Sequence, residues 1–552
     1  MTSLRRRTIL TALLAGGAMT ACTDQGEDRT PDASDGGGGD TKADTPDPGT
    51  AVATAELILL HTEVTVGVHP LVRNGEHLVM TLDLSAEAGS SDDDGGAPHD
   101  GAELVELTAQ QWADGWGSHS GDSRHYLGVR LLDLAEDQVA STAVDADGQS
   151  VAISAGTGGS GASDGGGSSA PKLLATVQIA YADPGADALT VYIPKIPVFA
   201  DVPVVEAGVP EVAGAKEQLD LSRIHAAPLA PMRSMSEDFE HPIREQREKK
   251  TTTVAISSDV LFDSSSATLD SKAENALDEA ARRIESHEAG PVTVTGHTDS
   301  VDTEKFNLAL SKKRAQAVAD ALAKRLDTDD YQLSTDGKGE SEPIASNDNP
   351  EGKALNRRVE ISLRTPVKSE NTESGTMPKF AGKSAPAEEG VSFDGSEHEV
   401  IRPFELQLKS ARMLAEHLVV TLEVTPQDEQ RNGAQGIGQF DEGTDMPEEP
   451  DGVSNLALLG SCGAIGVVVG STITYPALHG AGGPTKTVRP LTDLSLNSAA
   501  DGGVPRILEL VYPRDIAGVE DGAEIALQFG GTSSLDYANE NGWRLTDVPV
   551  AS

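Results

Sequence analysis

Hydrophobic residues between positions 251 and 365 follow two different spacings, which alternate along this part of the chain. In two stretches apolar residues recur every three or four positions, and this spacing predicts amphipathic helices. Between them apolar and polar residues alternate, which predicts half-buried strands. The order strand–helix–strand–helix–strand–strand predicts an α+β domain with helices packed on one sheet. The predicted strands are Val254–Phe262, Val292–Thr295, Tyr331–Ser334 and Arg358–Leu363, and the predicted helices are Thr268–Ile284 and Phe306–Leu326.

The two flanking regions carry alternating strands separated by Gly, Asp and Pro turns, with no helix-period stretch. Three short sequences of the first flank recur in the same order in the second flank. The flanks are therefore interpreted as two related copies of one all-β domain, an antiparallel β-sandwich. They resemble the immunoglobulin-like domains of exported lipoproteins. The recurring pairs are Glu76–Leu84 with Glu416–Val424, Pro171–Leu174 with Pro505–Leu508, and Asp201–Val204 with Asp547–Val550.

Changes in composition mark the boundaries between these regions. Residues 23–50 are rich in Asp, Gly, Thr and Pro, which cannot bury a core and predict a disordered tether. The stretches on either side of the central domain lack regular apolar patterns and are predicted to be linkers. The predicted organisation is a signal peptide at 1–21, an acidic tether at 22–53, a first β-sandwich at 54–206, a linker at 207–250, the central α+β domain at 251–365, a linker at 366–398 and a second β-sandwich at 399–552.

The N-terminus predicts export. Arg5–Arg7 precede the apolar run Ile9–Ala18, and together they are typical of a secretory signal that is too short to span a membrane in the mature protein. Cys22 follows a small residue, as in a lipobox, so it is predicted to become the lipidated first residue. Two acyl chains on this cysteine give stable anchoring. The arginines also resemble a twin-arginine export signal, and an ordinary Sec signal is the open alternative.

Charge and side-chain chemistry exclude several kinds of function. The 552 residues carry a formal net charge of −45, which argues against nucleic acid and anionic lipid headgroups as ligands. With Cys22 lipidated, Cys462 is left unpaired, and it is interpreted as a small buried hydrophobic residue. His61, His69 and His77 are spaced by eight, unlike metal ligands, and are predicted to be surface strand residues. The sequence shows no catalytic motif in the flanks, so we expect no enzyme activity, no cofactor and no metal site.

Four short motifs in the central domain carry its candidate chemistry. They are Thr295–Ser300 (TGHTDS), Asn307–Ala315 (NxxLSxxRA), Gly337–Pro343 (GxGESxP) and Asn356–Glu360 (NRRVE). In this order and spacing they resemble the OmpA-like C-terminal domain, a module that binds peptidoglycan without cutting it. The resemblance covers about a fifth of the chain.

The resemblance implies a binding site for the diamino acid of the peptidoglycan stem peptide. The side-chain end of diaminopimelate carries one ammonium and one carboxylate, so Asp299 would bind the ammonium and Arg314 the carboxylate. Arg suits this role because its planar fork binds a carboxylate through two hydrogen bonds. Taken singly, Asp299 fits a capping carboxylate and Arg314 a solvated helix residue. Asn307 and Thr298 would add to the site. One of Arg357 and Arg358 would complete it or orient Asp299, and the other would be a surface residue.

These patterns predict a non-catalytic, lipid-anchored protein of the cell envelope that ties the membrane to the wall. It would face the cell wall, on the outer membrane and in the periplasm if the cell has two membranes. The alternative is a wall-targeted accessory or subunit of an envelope enzyme or secretion assembly. The sequence leaves open whether the stem peptide contains diaminopimelate or lysine, and whether the β-sandwiches bind an envelope protein partner.

Overall fold

The computed structural model of this protein describes residues 45–59, 62–86, 128–156, 172–241, 243–367, 376–393, 404–427, 464–480, 488–492, 504–514, 516, 519, 524–530 and 542–551. The predicted signal peptide, Cys22, most of the tether and Cys462 lie outside these residues.

In the described part of the N-terminal flank, the regular elements are all strands. Its strands are β1 Ala53–Leu59, β2 Thr62–Val68, β3 Leu71–Asn74, β4 His77–Ala86, β5 Arg130–Asp133, β6 Gln138–Ser141, β7 Ala152–Gly156, β8 Lys172–Ala182, β9 Ala188–Tyr192 and β10 Phe199–Val205. One group pairs in the order β1-β2-β4-β8-β7, and a second pairs in the order β10-β9-β5-β6. Alternate residues of both groups share one hydrophobic core, which includes Val66, Leu82, Val177, Leu131 and Val191.

The segment 207–250, predicted to be a linker, contains two strands. They are β11 Leu229–Asp238 and β12 Ile243–Glu248. Strand β11 pairs with β6 and then with β12. The sequence of these two strands lacks an alternating apolar pattern because several of their buried side chains are charged and ion-paired. For example, Glu237 accepts a 2.9 Å hydrogen bond from Arg244.

The α+β fold predicted for the central domain is confirmed. Its elements are β13 Thr251–Ser257, α1 Ser258–Leu261, α2 Ala273–Glu285, β14 Gly290–His297, α3 Glu304–Leu322, β15 Tyr331–Gly339, α4 Pro350–Asn356 and β16 Arg358–Leu363. The strands pair in the order β12-β13-β16-β14-β15, and only the β14–β15 pair is parallel in this series. Helices α2 and α3 bury their apolar stripes against this sheet in a core that includes Leu277, Val318, Val294 and Ile361.

Several details of the central domain differ from the prediction. Helix α2 begins at Ala273, five residues after the predicted start at Thr268. Val260, predicted to lie in a strand, lies in the one-turn helix α1, which begins after Ser257 accepts a hydrogen bond from the Asp259 amide. Helix α3 ends at Leu322 rather than Leu326. Helix α4 was not predicted, although it begins with the strong start signal of an Asn349 cap followed by proline.

The C-terminal flank is also built of strands within its described part. They are β17 Lys383–Pro386, β18 Val391–Phe393, β19 Phe404–Leu414, β20 His417–Pro426, β21 Ile465–Val469, β22 Thr472–Thr474, β23 Leu478–Gly480, β24 Val488–Pro490, β25 Arg506–Arg514, β26 Glu524–Phe529 and β27 Trp543–Pro549. Strands β17 and β18 lie inside 366–398, which was predicted to be a linker; they pair with β27 and β19.

The recurring sequences lie on strands that pair in the same way in both flanks. Strand β4 pairs with β8, as β20 pairs with β25. Strands β6-β5-β9-β10 form one series, and β22-β21-β26-β27 form a series with the same order. The immunoglobulin-like character of the flanks stays a prediction.

Strand β11 joins the three regions. Besides β6 and β12, it pairs antiparallel with β22 and β23 of the C-terminal flank. Next to it, Val139, Tyr192, Met232, Val419 and Val511 pack in one cluster that includes residues of both flanks. The flanks and the central domain are therefore connected by paired strands as well as by sequence.

Candidate functional site

Two motif glycines allow helix α3 to lie directly on the sheet. A Cβ atom at Gly296 would lie 2.2 Å from the Ser311 carbonyl oxygen, and one at Gly337 would lie 2.5 Å from the Lys312 amide nitrogen. In the space that these glycines leave, the Ser311 hydroxyl accepts a 2.9 Å hydrogen bond from the Gly339 amide. This close contact fixes the position of α3, and therefore of Asn307 and Arg314 on it.

Asp299 lies in the loop after β14 and is buried, with 8% of its surface exposed. Its Oδ2 accepts a 2.8 Å hydrogen bond from Arg357, and its Oδ1 accepts one of 3.2 Å from the Val301 amide. Asp299 is therefore ion-paired to Arg357.

Arg357 also binds a second carboxylate that the sequence analysis did not identify. Its Nε donates to Asp259 Oδ1 at 2.9 Å, and its terminal nitrogen donates to Asp259 Oδ2 at 2.6 Å. Hydrogen bonding to Asp259 is the largest influence on the pKa of Arg357, which lies well above its ordinary value, and Asp299 raises it further. Arg357 therefore connects the α1 helix to the loop that carries Asp299.

Arg314 is buried, with 3% of its surface exposed, and is held without an acidic partner. Its Nε donates to the Ser266 carbonyl at 2.9 Å, and its guanidinium lies over the Phe262 ring, 5.1 Å from the centroid. No carboxylate of the described residues forms an ion pair with it. Burial lowers the pKa of Arg314 from its ordinary value, and the like charge of Arg357 acts in the same direction.

Asn307 and Thr298 were predicted to complete the ligand site, and the structure places both beside Asp299. The Asn307 amide donates to the carbonyls of Asp299 and Val301 at 3.2 and 2.9 Å, and to Glu340 at 2.5 Å, so it holds the loop. Thr298 donates its backbone amide to a carbonyl of β15, and its buried hydroxyl has no hydrogen-bond partner within the described chain.

Of the two arginines in the NRRVE motif, only Arg357 reaches Asp299. Arg358, the first residue of β16, is not the surface residue that was predicted, because it is buried with 5% of its surface exposed. It pairs with Glu360 at 2.7 Å and donates to the Glu342 carbonyl at 3.3 Å. Asn356 of the same motif is fully buried and fixes the loop before α4, because its Oδ1 accepts from the amides of residues 344 and 345. The sequence analysis assigned no role to Asn356.

An exposed apolar rim borders the site. Val301 is 51% exposed, Phe306 44% and Leu308 39%, and all three lie on the Asp299 loop or on the first turns of α3. These residues are half of the large hydrophobic side chains that are exposed in the described part of the chain. The charged groups are therefore flanked by a surface suited to an aliphatic ligand.

The prediction that His69 is a surface strand residue is wrong. His69 is buried, and its Nε2 lies 2.9 Å from Asp83 while its Nδ1 lies 3.0 Å from the Pro48 carbonyl. Among the described residues, no group of three or more His, Cys, Asp or Glu side chains is placed to hold a metal. Within the same residues, no helix is both long enough and apolar enough to cross a membrane.

Comparison with known proteins places the central region in a family. The profile of the OmpA family matches residues 261–357. Outer membrane protein A of Bordetella avium is 35% identical over 126 residues, which are 22% of this chain and 64% of that protein. The probable lipoprotein YiaD of Escherichia coli is 45% identical over 104 residues, covering 19% of this chain and 47% of the relative. The peptidoglycan-binding protein ArfA of Mycobacterium bovis is 44% identical over 85 residues, 15% of this chain and 26% of ArfA.

This chain thus spans less than two thirds of the length of each of these relatives. The matched residues include α2, β14, α3, β15 and α4, and with them Asp299, Arg314 and Arg357. Residues 261–357 of this chain are therefore an OmpA family domain, placed between two strand-rich flanks.

Proposed function

We propose that the central domain binds the peptidoglycan stem peptide without cutting it, through the zwitterionic side-chain end of its diamino acid. The observation that carries this proposal is the buried Arg314, which forms no ion pair with a carboxylate of the described residues and lies within electrostatic range of the ion-paired Asp299. Asp259 and Asp299 act on Arg314 only from a distance. A buried guanidinium that makes no ion pair of its own is costly, and a ligand carboxylate in direct contact with it would relieve that cost.

Each end of the ligand has a chemical partner in this proposal. The ligand carboxylate binds the two terminal nitrogens of Arg314, because the Nε of this residue donates to the Ser266 carbonyl. The ligand ammonium binds Asp299, which has accepting capacity beyond its bonds to Arg357 and Val301. The need for a carboxylate favours diaminopimelate over lysine, because lysine lacks that group.

The envelope location and the anchor are part of the same proposal. One relative is named an outer membrane protein, one a probable lipoprotein and one a peptidoglycan-binding protein. Together with the signal sequence and Cys22, these names support an exported lipoprotein whose lipid enters the membrane and whose central domain binds the wall. The protein would then connect membrane and wall, with no catalytic role, and its flanks would act as immunoglobulin-like β-sandwich spacers.

The test uses the full chain and three variants: Asp299→Asn, Arg314→Ala and the double variant. Each single change removes one partner of a charge-assisted contact, which costs about 2–5 kcal/mol when the site is desolvated. Every 1.4 kcal/mol is about a tenfold loss of affinity, so even the lower figure is measurable in titrations with soluble stem-peptide fragments. The double variant should lose less than the sum, because both residues hold the same end group.

Lys313→Ala provides a matched control, since Lys313 is an exposed cation next to Arg314 on α3. This variant should bind fragments and purified sacculi as the wild type does. Equal affinity in the wild type and in all site variants, with folding unchanged, would show that the motif is a fold signature here and would refute the proposed function.

A further inference from the structure

Asp259 lies in the site but belongs to none of its motifs. It is in the one-turn helix α1, and it binds Arg357 through both carboxylate oxygens, at 2.9 and 2.6 Å. The backbone supports this contact, because the Ser258 amide donates to the Arg357 carbonyl at 2.8 Å. Asp259 and Arg357 are thus held together at two points, although they are 98 residues apart in sequence.

Asp259 also balances the charge of the site. The charges of Asp259 and Asp299 raise the pKa of Arg314, whereas the charge of Arg357 lowers it. The cluster therefore contains two arginines and two aspartates, and its formal charge is zero. Without Asp259, the same cluster would carry one net positive charge.

We infer that Asp259 is a specificity-determining residue, which keeps the site neutral so that it accepts a zwitterionic end group in preference to an anionic one. The reason is electrostatic. A net positive cluster attracts a carboxylate and repels an ammonium, whereas a neutral cluster with both signs attracts both groups. Asp299 cannot both neutralise the positive charge of Arg357 and attract the ligand ammonium. Asp259 supplies the second negative charge, which neutralises Arg357 and leaves Asp299 for the ligand.

This inference rests on the proposed function and makes a separate prediction about ligand preference. Three forms of the diamino-acid tripeptide probe it: the free zwitterionic end, the same end with its ammonium acetylated, and the same end with its carboxylate amidated. The wild type should prefer the zwitterion. In Asp259→Asn, the ratio of affinities for the acetylated and zwitterionic forms should rise at least about fivefold, the change that one unit charge at contact distance produces under water-like screening.

Two variants separate this role from a merely structural one. Asp259→Glu keeps the charge and should keep the wild-type order of affinities. Asp263→Asn removes one negative charge from an exposed residue just after α1, without an ion pair to Arg357, and should change nothing. Loss of a purely structural contact would weaken all three ligands by the same factor. Asp259→Ala, measured together with Asp259→Asn, checks that the effect follows the charge and not the inserted amide.

The outcomes are distinct. A higher ratio in Asp259→Asn and Asp259→Ala, with the wild-type order in Asp259→Glu, supports the inference. If the wild type binds the zwitterion and the ratio is unchanged in both uncharged variants, the inference fails while the proposed function stands. If the wild type binds none of the three ligands, the proposed function fails and the inference fails with it.

Discussion

Replacing Gly296 with alanine should displace helix α3 and weaken the candidate site without touching a charged residue. The new Cβ would lie 2.2 Å from the Ser311 carbonyl oxygen, whereas ordinary contacts begin at 3.4 Å. Because that oxygen belongs to the helix backbone, no side-chain rotation relieves the clash, and α3 must move away from β14. Overpacking of this kind costs about 1–3 kcal/mol.

Hydrogen–deuterium exchange of the full chain measures this effect locally. Every 1.4 kcal/mol lost should speed exchange about tenfold, in α3 and in the part of β14 beneath it. Affinity for stem-peptide fragments should fall as well, since Asn307 and Arg314 move with the helix. Gly290→Ala on the same strand is the matched control, because its Cβ would meet the end of the Thr365 side chain at 2.4 Å, and a side chain can rotate.

Unchanged exchange in α3 of Gly296→Ala would refute the close-packing argument. An equal effect of Gly290→Ala on α3 would also contradict it, because that position does not touch the helix.

Three further predictions test other parts of the chain. Burial raises the pKa of Glu245, but the charges of Arg247 and Arg283 outweigh burial and lower this pKa to about 2. Ionised Glu245 should therefore stabilise the folded protein fully above about pH 4.5, and this stabilisation should be lost as the pH falls towards 2. Glu245→Gln should cost about 3 kcal/mol at neutral pH and flatten this acid dependence, measured by exchange in β12 and α2; an unchanged acid profile would contradict it. Asn356→Ala should cost about 2 kcal/mol and speed exchange at residues 344–345, and normal protection there would argue against its loop-holding role. Cys22→Ser should move the protein from the membrane fraction to the soluble fraction, and an unmodified mature terminus in the intact mass of the wild type would exclude the lipid anchor.

Sequence periodicity predicted the elements that bury an apolar stripe. Helices α2 and α3 and strand β16 have such stripes and were placed within a few residues of their ends. Helices α1 and α4, with 4 and 7 residues, are too short for a helical period to emerge. Strands β11 and β12 were missed because residues such as Glu237 and Glu245 are buried in ion pairs, which no apolar pattern records.

The site was predictable as far as its motifs extend. The motifs singled out Asp299 and Arg314 as candidates. The alternating pattern that begins at Arg358 could also have shown that Arg358 belongs to a strand and Arg357 does not. Arg358 lies on the strand with Glu360 on the face opposite the core, whereas Arg357 precedes the strand and can reach the loop. Asp259 could not be predicted, because its partner comes near only when β13 and β16 pair.

The missed strand β12 also bears on domain dissection. It pairs with β13 along its whole length, and Ile243 packs in the core of the central domain. A fragment that begins at Lys250 would lose both, so we expect one that begins at residue 243 to be the more stable in thermal unfolding.

The pairing of β11 has a consequence for how the chain folds. Strand β11 is synthesised long before its partners in the C-terminal flank, and Tyr475, which donates to Glu237, is 238 residues further along the chain. Until those residues arrive, one edge of β11 has unpaired amides and carbonyls, which are a template for pairing with other chains. Contacts of such long range slow folding. Refolding of the full chain should therefore be slow and lose yield as protein concentration rises, and a chain that stops before β22 should aggregate even if its central domain is intact.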